Sequence, residues 1–539
     1  MVAEALVCAR QRLPQFPLHP YTVCQNPGVR KLCAGAFVLL LASAAAPARA
    51  ALPQGVDDAA IAAAAVASFP EYLEFLALPN DSIQPADVQK NAVWLEAAFG
   101  RRGFATRSLE NKGRPLVFAE HGASRPPQKT VLFYLHFDGQ PVVPSQWAQK
   151  DPWRPVVKRR GADGKWAEVD RAELLKPGFD PELRVFGRSS SDDKGPIAMF
   201  LAVFDVLRAR NIDPAFHVKV LLDSEEEVNS PGIAAVVAAN TTLLSSDAVV
   251  LVDGPLHASG RPTIVFGNRG VVAVTLTVYG PRAPLHSGHF GNWVPNPAMR
   301  LARLLAGMKD DDGRVTVPGW YARTSLTDAD RKVLAEVPDD EAALKTRTGI
   351  AQPEKIGATY QESLQYPSLN VRGLSSASVG EKAANIVPRD AVAEFDLRTT
   401  VEADPAFLLG LLKKHVEAQG WHLVDKDPTD DERAGWPKLA RLNAHLPAEA
   451  ARQPVDSPVG RWASDAIAGA WPAAPLVRVR MMGGTLPTHE IVEPLKAPFV
   501  LVPVVNPDNN QHTYDENLRM GHYLSGMRTL AALLTAPYR

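Results

Sequence analysis

Residues 130–138 read TVLFYLHFD: an uncharged, largely apolar run that ends on His136 and, two residues later, Asp138. A strand apolar at nearly every position, not at alternate ones, suits a parallel sheet covered on both faces. Three further runs share this character: 218–222 (VKVLL), 248–252 (AVVLV) and 498–505 (PFVLVPVV). Helical patterns at 58–77, 87–99 and 196–208 alternate with them, as in α/β folds.

Each run also leads into acids or imidazoles. Asp223 and Glu225-Glu226-Glu227 follow the second, Asp253-Gly254 the third, and Asn506-Pro507-Asp508 with His512 the fourth. In an open α/β sheet, ligands bind outside the carboxyl ends of the strands, so these ends are expected to meet on one rim. A fifth piece, Gly187-Arg188-Ser189-Ser190-Ser191-Asp192-Asp193-Lys194-Gly195, precedes the apolar helix 196–208. Each piece alone has a plain explanation. A lone His-x-Asp often marks a core edge, a glutamate triplet a solvated face, and an Asp at a helix start a cap. Together they predict a metal site.

The middle of the chain changes period. Residues 271–279 (VVAVTLTVY) and 391–397 (AVAEFDL) alternate apolar and polar, which suits antiparallel strands with one wet face. Helical patterns lie at 297–307, 327–348 and 405–418, and a charged stretch, Asp425–Arg433, follows. The expected organisation is a mostly parallel, helix-covered α/β catalytic domain from 51–267 and 429–539, interrupted by an α+β domain at 268–428.

With 58 Lys+Arg against 59 Asp+Glu, the net charge of −1 argues against a nucleic-acid binder, which would normally be basic. Residues 1–50 read as a signal peptide. Arg30-Lys31, an apolar stretch at 32–46 and Ala48-Arg49-Ala50 stand in the order of a cleaved secretory signal. The apolar stretch is short for a membrane span, so the mature chain is expected in the periplasm or outside the cell, with no stable span. The long lead before it suggests a true start near Val29. All three cysteines (Cys8, Cys24, Cys33) precede Ala50, so the mature protein has no thiolate and must hold metal through His, Asp and Glu. A carboxylate can bridge two ions about 3.5–4 Å apart. Such a donor set suits Zn²⁺, with Mn²⁺ or Co²⁺ as replacements.

At these residues the chain resembles the di-zinc peptidases that include glutamate carboxypeptidase, acetylornithine deacetylase, succinyl-diaminopimelate desuccinylase and carnosinase. The matching motifs are H-F-D-G-Q-P (136–141), S-D-D-K-G-P (191–196), E-E-V-N-S-P-G (226–232), V-D-G (252–254), L-H-S-G (285–288), G-G-T-L-P (483–487) and H-T-Y-D-E (512–516). The resemblance is closest to carnosinase-like dipeptidases, through Trp147 with Asp151-Pro152-Trp153, V-P-G-W (317–320), Y-P-S-L (366–369), N-I-V-P-R (385–389) and F-D-L-R (395–398). Residues 308–366 look like the insertion that enlarges the inserted domain in that branch.

The resemblance implies that the inserted domain is a ferredoxin-like lid and dimerisation domain. It implies two divalent ions, one held by His136, Asp192 and Asp253 and the other by Asp192, Glu227 and His512, with Asp192 bridging. Glu226 matches the general base and Asp138 the carboxylate that orients His136. His286 matches a lid histidine that reaches the partner subunit's active site in a homodimer. Arg398, Asn385 and the Gly484-Thr485 turn match groups that bind the substrate's carboxylate or carbonyl. Asn229 stands where Gly is usual, Asp515 where Asn is frequent, and Thr485 replaces a common Ser.

The implied chemistry is hydrolysis of a dipeptide or short peptide with a free carboxyl terminus. Water bridging two ions has its pKa lowered from 15.7 toward about 7, and Glu226 takes its proton as the hydroxide attacks. An N-acyl-amino-acid deacylase would use the same machinery. A non-catalytic binding protein would need neither the base nor a bridging carboxylate.

Overall fold

A computed structural model describes residues 52–122 and 129–539. The expected signal segment, its cleavage site, the suggested start and all three cysteines lie outside the described residues.

The main sheet has eight strands in the order Ala105–Leu109, Leu116–His121, His217–Asp223, Thr130–His136, Ala248–Leu251, Phe499–Leu501, Thr263–Val265 and Val477–Val479. The four expected apolar runs occupy its centre and are mutually parallel. Alternate residues of Thr130–His136 enter two different cores: Val131, Phe133 and Leu135 one, Leu132 and Tyr134 the other. Both faces are therefore dry, which is why the run has no polar period. Each large apolar side chain buried this way contributes about 1.5–3 kcal/mol. The fourth run forms a strand only over Phe499–Leu501. Pro498 and Pro503 lack the N–H a ladder needs, so beyond the strand isolated links remain, among them Val502 N–H donating to Leu251 O (2.8 Å) and Val505 O accepting from Leu256 N–H (2.9 Å).

Helix Asp58–Leu76 packs on Lys194–Ala209 and Met520–Thr535 over one face of this sheet. It is the single described helix long and apolar enough to cross a membrane; here nine of its side chains are buried.

A second sheet orders Ser368–Ser375, Asp390–Thr399, Gly270–Tyr279, Leu439–Ala448 and His422–Leu423. Its inner residues, among them Val272, Val274, Phe395 and Leu397, pack against Leu301 and Leu304 of helix Pro297–Ala306 and Leu408 and Leu412 of helix Pro405–Ala418. The expected end of this region at 428 is too early, because Leu439–Ala448 pairs along most of Gly270–Tyr279. Its weak alternation hid it behind the charged stretch. The single helix expected over 327–348 is two, Asp328–Ala335 and Glu341–Thr348, since Pro338 between them cannot continue a helix. Arg478–Glu336 (2.6 Å) and Arg480–Asp330 (2.8 Å) tie this segment to the edge of the main sheet.

A third sheet pairs Asn517–Arg519 antiparallel with Arg184–Phe186. Residues 187–193 leave one strand where residues 510–516 enter the other. The two loops therefore share one end of the sheet.

Candidate metal centre

Three parallel strands deliver the first ligand candidates to one edge. Across Thr130–His136 and His217–Asp223 the register sets His136 against Asp223, and Asp253 lies two residues past Ala248–Leu251. His136 is fully buried. Its Nε2 lies 2.8 Å from Asp192 Oδ1 and 3.8 Å from Asp253 Oδ2. Its Nδ1 faces Asp138 Oδ1 at 3.3 Å. Asp138 also accepts from the backbone N–H of Glu226 (3.1 Å) and of Glu227 (3.0 Å). One carboxylate thus faces the imidazole and anchors the segment that carries the two glutamates.

The second group comes from loops. His512 Nε2 lies 3.0 Å from Asp192 Oδ2 and 3.1 Å from Glu227 Oε2. Gln140 donates to Glu227 Oε2 (2.9 Å), and Gln511 to Asp192 Oδ2 (3.2 Å). In each of the two groups, His136–Asp192–Asp253 and Asp192–Glu227–His512, the ligand atoms all lie within 4.8 Å of one another. Asp192 belongs to both and offers a different oxygen to each histidine.

These groups are electrostatically unbalanced as they stand. Burial pushes Asp253 up to about 6 and Glu227 up to about 7, with Asp192 adding to both. Burial also lifts Glu226 well above the carboxylate range. For Asp192 burial works upward, but the bonds from His136 and His512 hold it well below its usual value. The bonds to Asp192 and Glu227 push His512 up to about 11. Lys194, two residues after Asp192 in sequence, does not neutralise the cluster. Its Nζ is buried and donates to Phe75 O (2.9 Å) and Leu78 O (2.6 Å). Crowded, partly buried carboxylate and imidazole donors with no lysine or arginine among them fit divalent metal ions.

Other acids on this rim are not ligands. Asp193 accepts from the His136 backbone N–H (3.3 Å) and enters neither group. Asp223 accepts from Tyr134 Oη (3.0 Å) and Ser230 Oγ (2.6 Å). Glu225 is drawn away by Asn111 (2.7 Å) and Arg114 (3.1 Å). Asp508 pairs with Arg184 at 2.7 Å. Of the three consecutive glutamates, Glu227 joins a ligand group and Glu226 is left beside it.

Glu226 and Thr485 line one cavity of about 330 Å³. Arg398 Nη1 donates to Thr485 Oγ1 (2.9 Å) and its Nε lies 3.3 Å from Asp396. The Gly484 carbonyl accepts from the Arg269 N–H (3.1 Å). His286 and Asn385 sit together elsewhere, on a two-stranded ribbon pairing Leu285–His286 with Ile386–Val387. Both are exposed. The His286 ring accepts from Gly288 N–H and packs against His289, so the fold of one chain does not bring it into either ligand group. Asn229 has φ +66° and Asp515 φ +57°. Both types tolerate the left-handed region, which accounts for these replacements in local terms.

Sequence reasoning gave no role to Gln140, Gln511 or Glu516. Glu516 was visible only as the last residue of a motif, and nothing local signals that its carboxyl is fully buried.

The sequence profile of peptidase family M20/M25/M40 matches residues 132–536, a span that holds every ligand candidate. The Cys-Gly metallodipeptidase of Schizosaccharomyces pombe is 26% identical over 426 residues, 77% of this chain and 81% of that protein. The Beta-Ala-His dipeptidase of Mus musculus is 24% identical over 478 residues, 85% of this chain and 90% of that protein. Among solved structures, the M20 family metallo-carboxypeptidase Sso-CP2 from Sulfolobus solfataricus superposes with a TM-score of 0.71 at 26% identity, covering 87% of this chain and 98% of that one. Sequence, fold and the donor geometry thus agree, and the chain belongs to peptidase family M20/M25/M40, a hydrolase family of peptide bonds.

Proposed function

We propose that the protein is a two-metal dipeptidase acting on dipeptides or short peptides with a free carboxyl terminus. The ions are Zn²⁺, with Mn²⁺ or Co²⁺ as replacements. The observation that carries this reading is the pair of ligand groups sharing Asp192, with Glu226 beside them but in neither. The dipeptidase names of the relatives support the substrate class.

His136, Asp192 and Asp253 would hold one ion, and Asp192, Glu227 and His512 the other. When bound, such ions polarise a carbonyl and acidify water. Asp138 keeps His136 oriented, as carboxylates beside metal-binding imidazoles do. Glu226 takes the proton of the attacking water and returns it to the leaving amine nitrogen, which becomes the new amino terminus. Arg398, hydrogen-bonded to Thr485 at the rim of the Glu226 cavity, supplies the fork for the substrate carboxylate. A panel of dipeptides against the matching N-acetyl amino acids, on metal-reconstituted protein, tests the substrate class. Turnover confined to the N-acetyl compounds would overturn it.

Arg398→Lys keeps the charge and loses the fork. We expect KM to rise for peptides with a free carboxyl terminus and kcat to hold. An unchanged KM removes this role from Arg398.

We further propose that the chain is exported to the periplasm or beyond after cleavage following Ala50, and that it works as a homodimer. Exposure of His286 and Asn385, away from the ligands of their own chain, supports a site completed by the partner. His286→Ala and Glu226→Gln proteins should each be inactive alone. Mixed and re-associated, they should regain activity, because one site of each heterodimer then has both groups intact. No recovery from verified heterodimers would place His286 outside the partner's site.

A further inference from the structure

The loop that carries His512 and the loop that carries Asp192 meet on one buried side chain. Glu516 Oε1 accepts from Ser191 N–H (2.9 Å), Ser191 Oγ (2.9 Å) and Asp192 N–H (3.0 Å). Its Oε2 accepts from Ser189 N–H (2.8 Å) and Arg188 Nη1 (2.8 Å). Backbone N–H groups converging in this way form an anion-binding nest, here filled by the chain's own carboxylate. The main chain repeats the link: Gly187 N–H donates to Glu516 O (3.0 Å). Arg188 Nη2 donates to Thr513 O (3.0 Å), next to His512.

Both ligand groups share Asp192, whose N–H Glu516 holds, but their remaining ligands depend on this link unequally. His136 and Asp253 extend from strands of the main sheet, whose pairing does not involve Glu516. The His512 side chain is 53% exposed, and its polar contacts are Asp192 and Glu227. Packing therefore does little to place it, and its position is inherited from backbone anchored at Thr513 and Glu516.

We propose that Glu516 is the positioning residue that holds the His512 loop against the Asp192 loop, so that its loss weakens cation binding by the Asp192–Glu227–His512 group far more than by the His136–Asp192–Asp253 group. Every direction around its carboxylate faces a donor. Glu516→Gln must turn its own NH₂ toward one of them, and an amide nitrogen accepts nothing.

The proposal rests on the two-cation reading and is tested by Co²⁺ titration of the full-length protein, followed by absorption and by competition with a chelator. We expect Glu516→Gln to bind one of two Co²⁺ ions about 10–100-fold more weakly, the usual cost of losing a partner that orients ligands, and the other as wild type does. In a His512→Ala background, Glu516→Gln should add no further loss for the remaining ion. In an Asp253→Ala background it should weaken the remaining ion. Ser191→Ala removes one bond to the same carboxylate and should show the same selectivity at smaller amplitude; it decides the matter if Glu516→Gln does not fold. A folded variant that keeps wild-type affinity for both ions, or loses both equally, overturns the role of Glu516. Wild-type protein that takes up fewer than two Co²⁺ ions overturns the two-cation reading instead.

Discussion

Replacing Glu226 by Gln should lower turnover by at least about 10²–10⁴-fold, the usual contribution of a general acid–base group, while both ions stay bound. Glu226 belongs to neither ligand group. Its backbone N–H is held by Asp138, a contact the substitution keeps. Glu226 lines the cavity shared with Thr485. Glutamine preserves the volume and removes the ability to carry a proton back and forth. The adjacent Glu227→Gln is the contrast: it alters a ligand held by Gln140 and facing His512, so metal content should fall along with rate. Metal analysis beside steady-state kinetics separates the two. Near-wild-type turnover in Glu226→Gln, or loss of an ion from it, would show that the roles of the two glutamates are exchanged or absent.

The stability gained from the ions should widen steeply with pH. Without ions, burial and neighbouring carboxylates hold Asp253 up to about 6 and Glu227 up to about 7, whereas in an unfolded chain such groups titrate near 3.9 and 4.3. Between those values the folded apoprotein keeps protons that the unfolded chain has released, so its stability falls as pH rises. His512, pushed up to about 11, acts with the same sign above its unfolded value of about 6.5. Asp192 is shifted the other way, and its contribution changes only at more acid pH. Ligands must be deprotonated to bind metal, so the holoprotein gains over the same range. Calorimetry of chelator-treated and reconstituted protein from about pH 5 to about pH 8 should show the gap in melting temperature growing, with the metal-free form descending. A constant gap would mean that these acids are not crowded in the metal-free fold.

The legible parts of this molecule are those whose cause is local. The helices at 58–76 and 405–418 are visible because their periodicity lies within a few residues; in the structure Asp57 and Asp404 cap them. The four central strands of the main sheet are visible because a strand dry on both faces can have no polar period. The strand Leu439–Ala448 was missed because its identity lies in its pairing with a strand far away in sequence.

That acids and imidazoles would gather on one rim follows from pattern and from the chirality of parallel α/β connections. Which of them would face an ion does not. Glu225, Glu226 and Glu227 are chemically identical and consecutive, and they part only because Asn111 and Arg114 attract the first, a cavity admits the second and His512 meets the third. Lys194 and Glu516 show the same division in opposite directions. A lysine two residues after Asp192 turns its charge onto distant carbonyls, and a glutamate at the end of a motif becomes the buried knot between two loops. Hydrophobic period is a one-dimensional signal, whereas the partner of a buried charge is selected by long-range contacts that desolvate it.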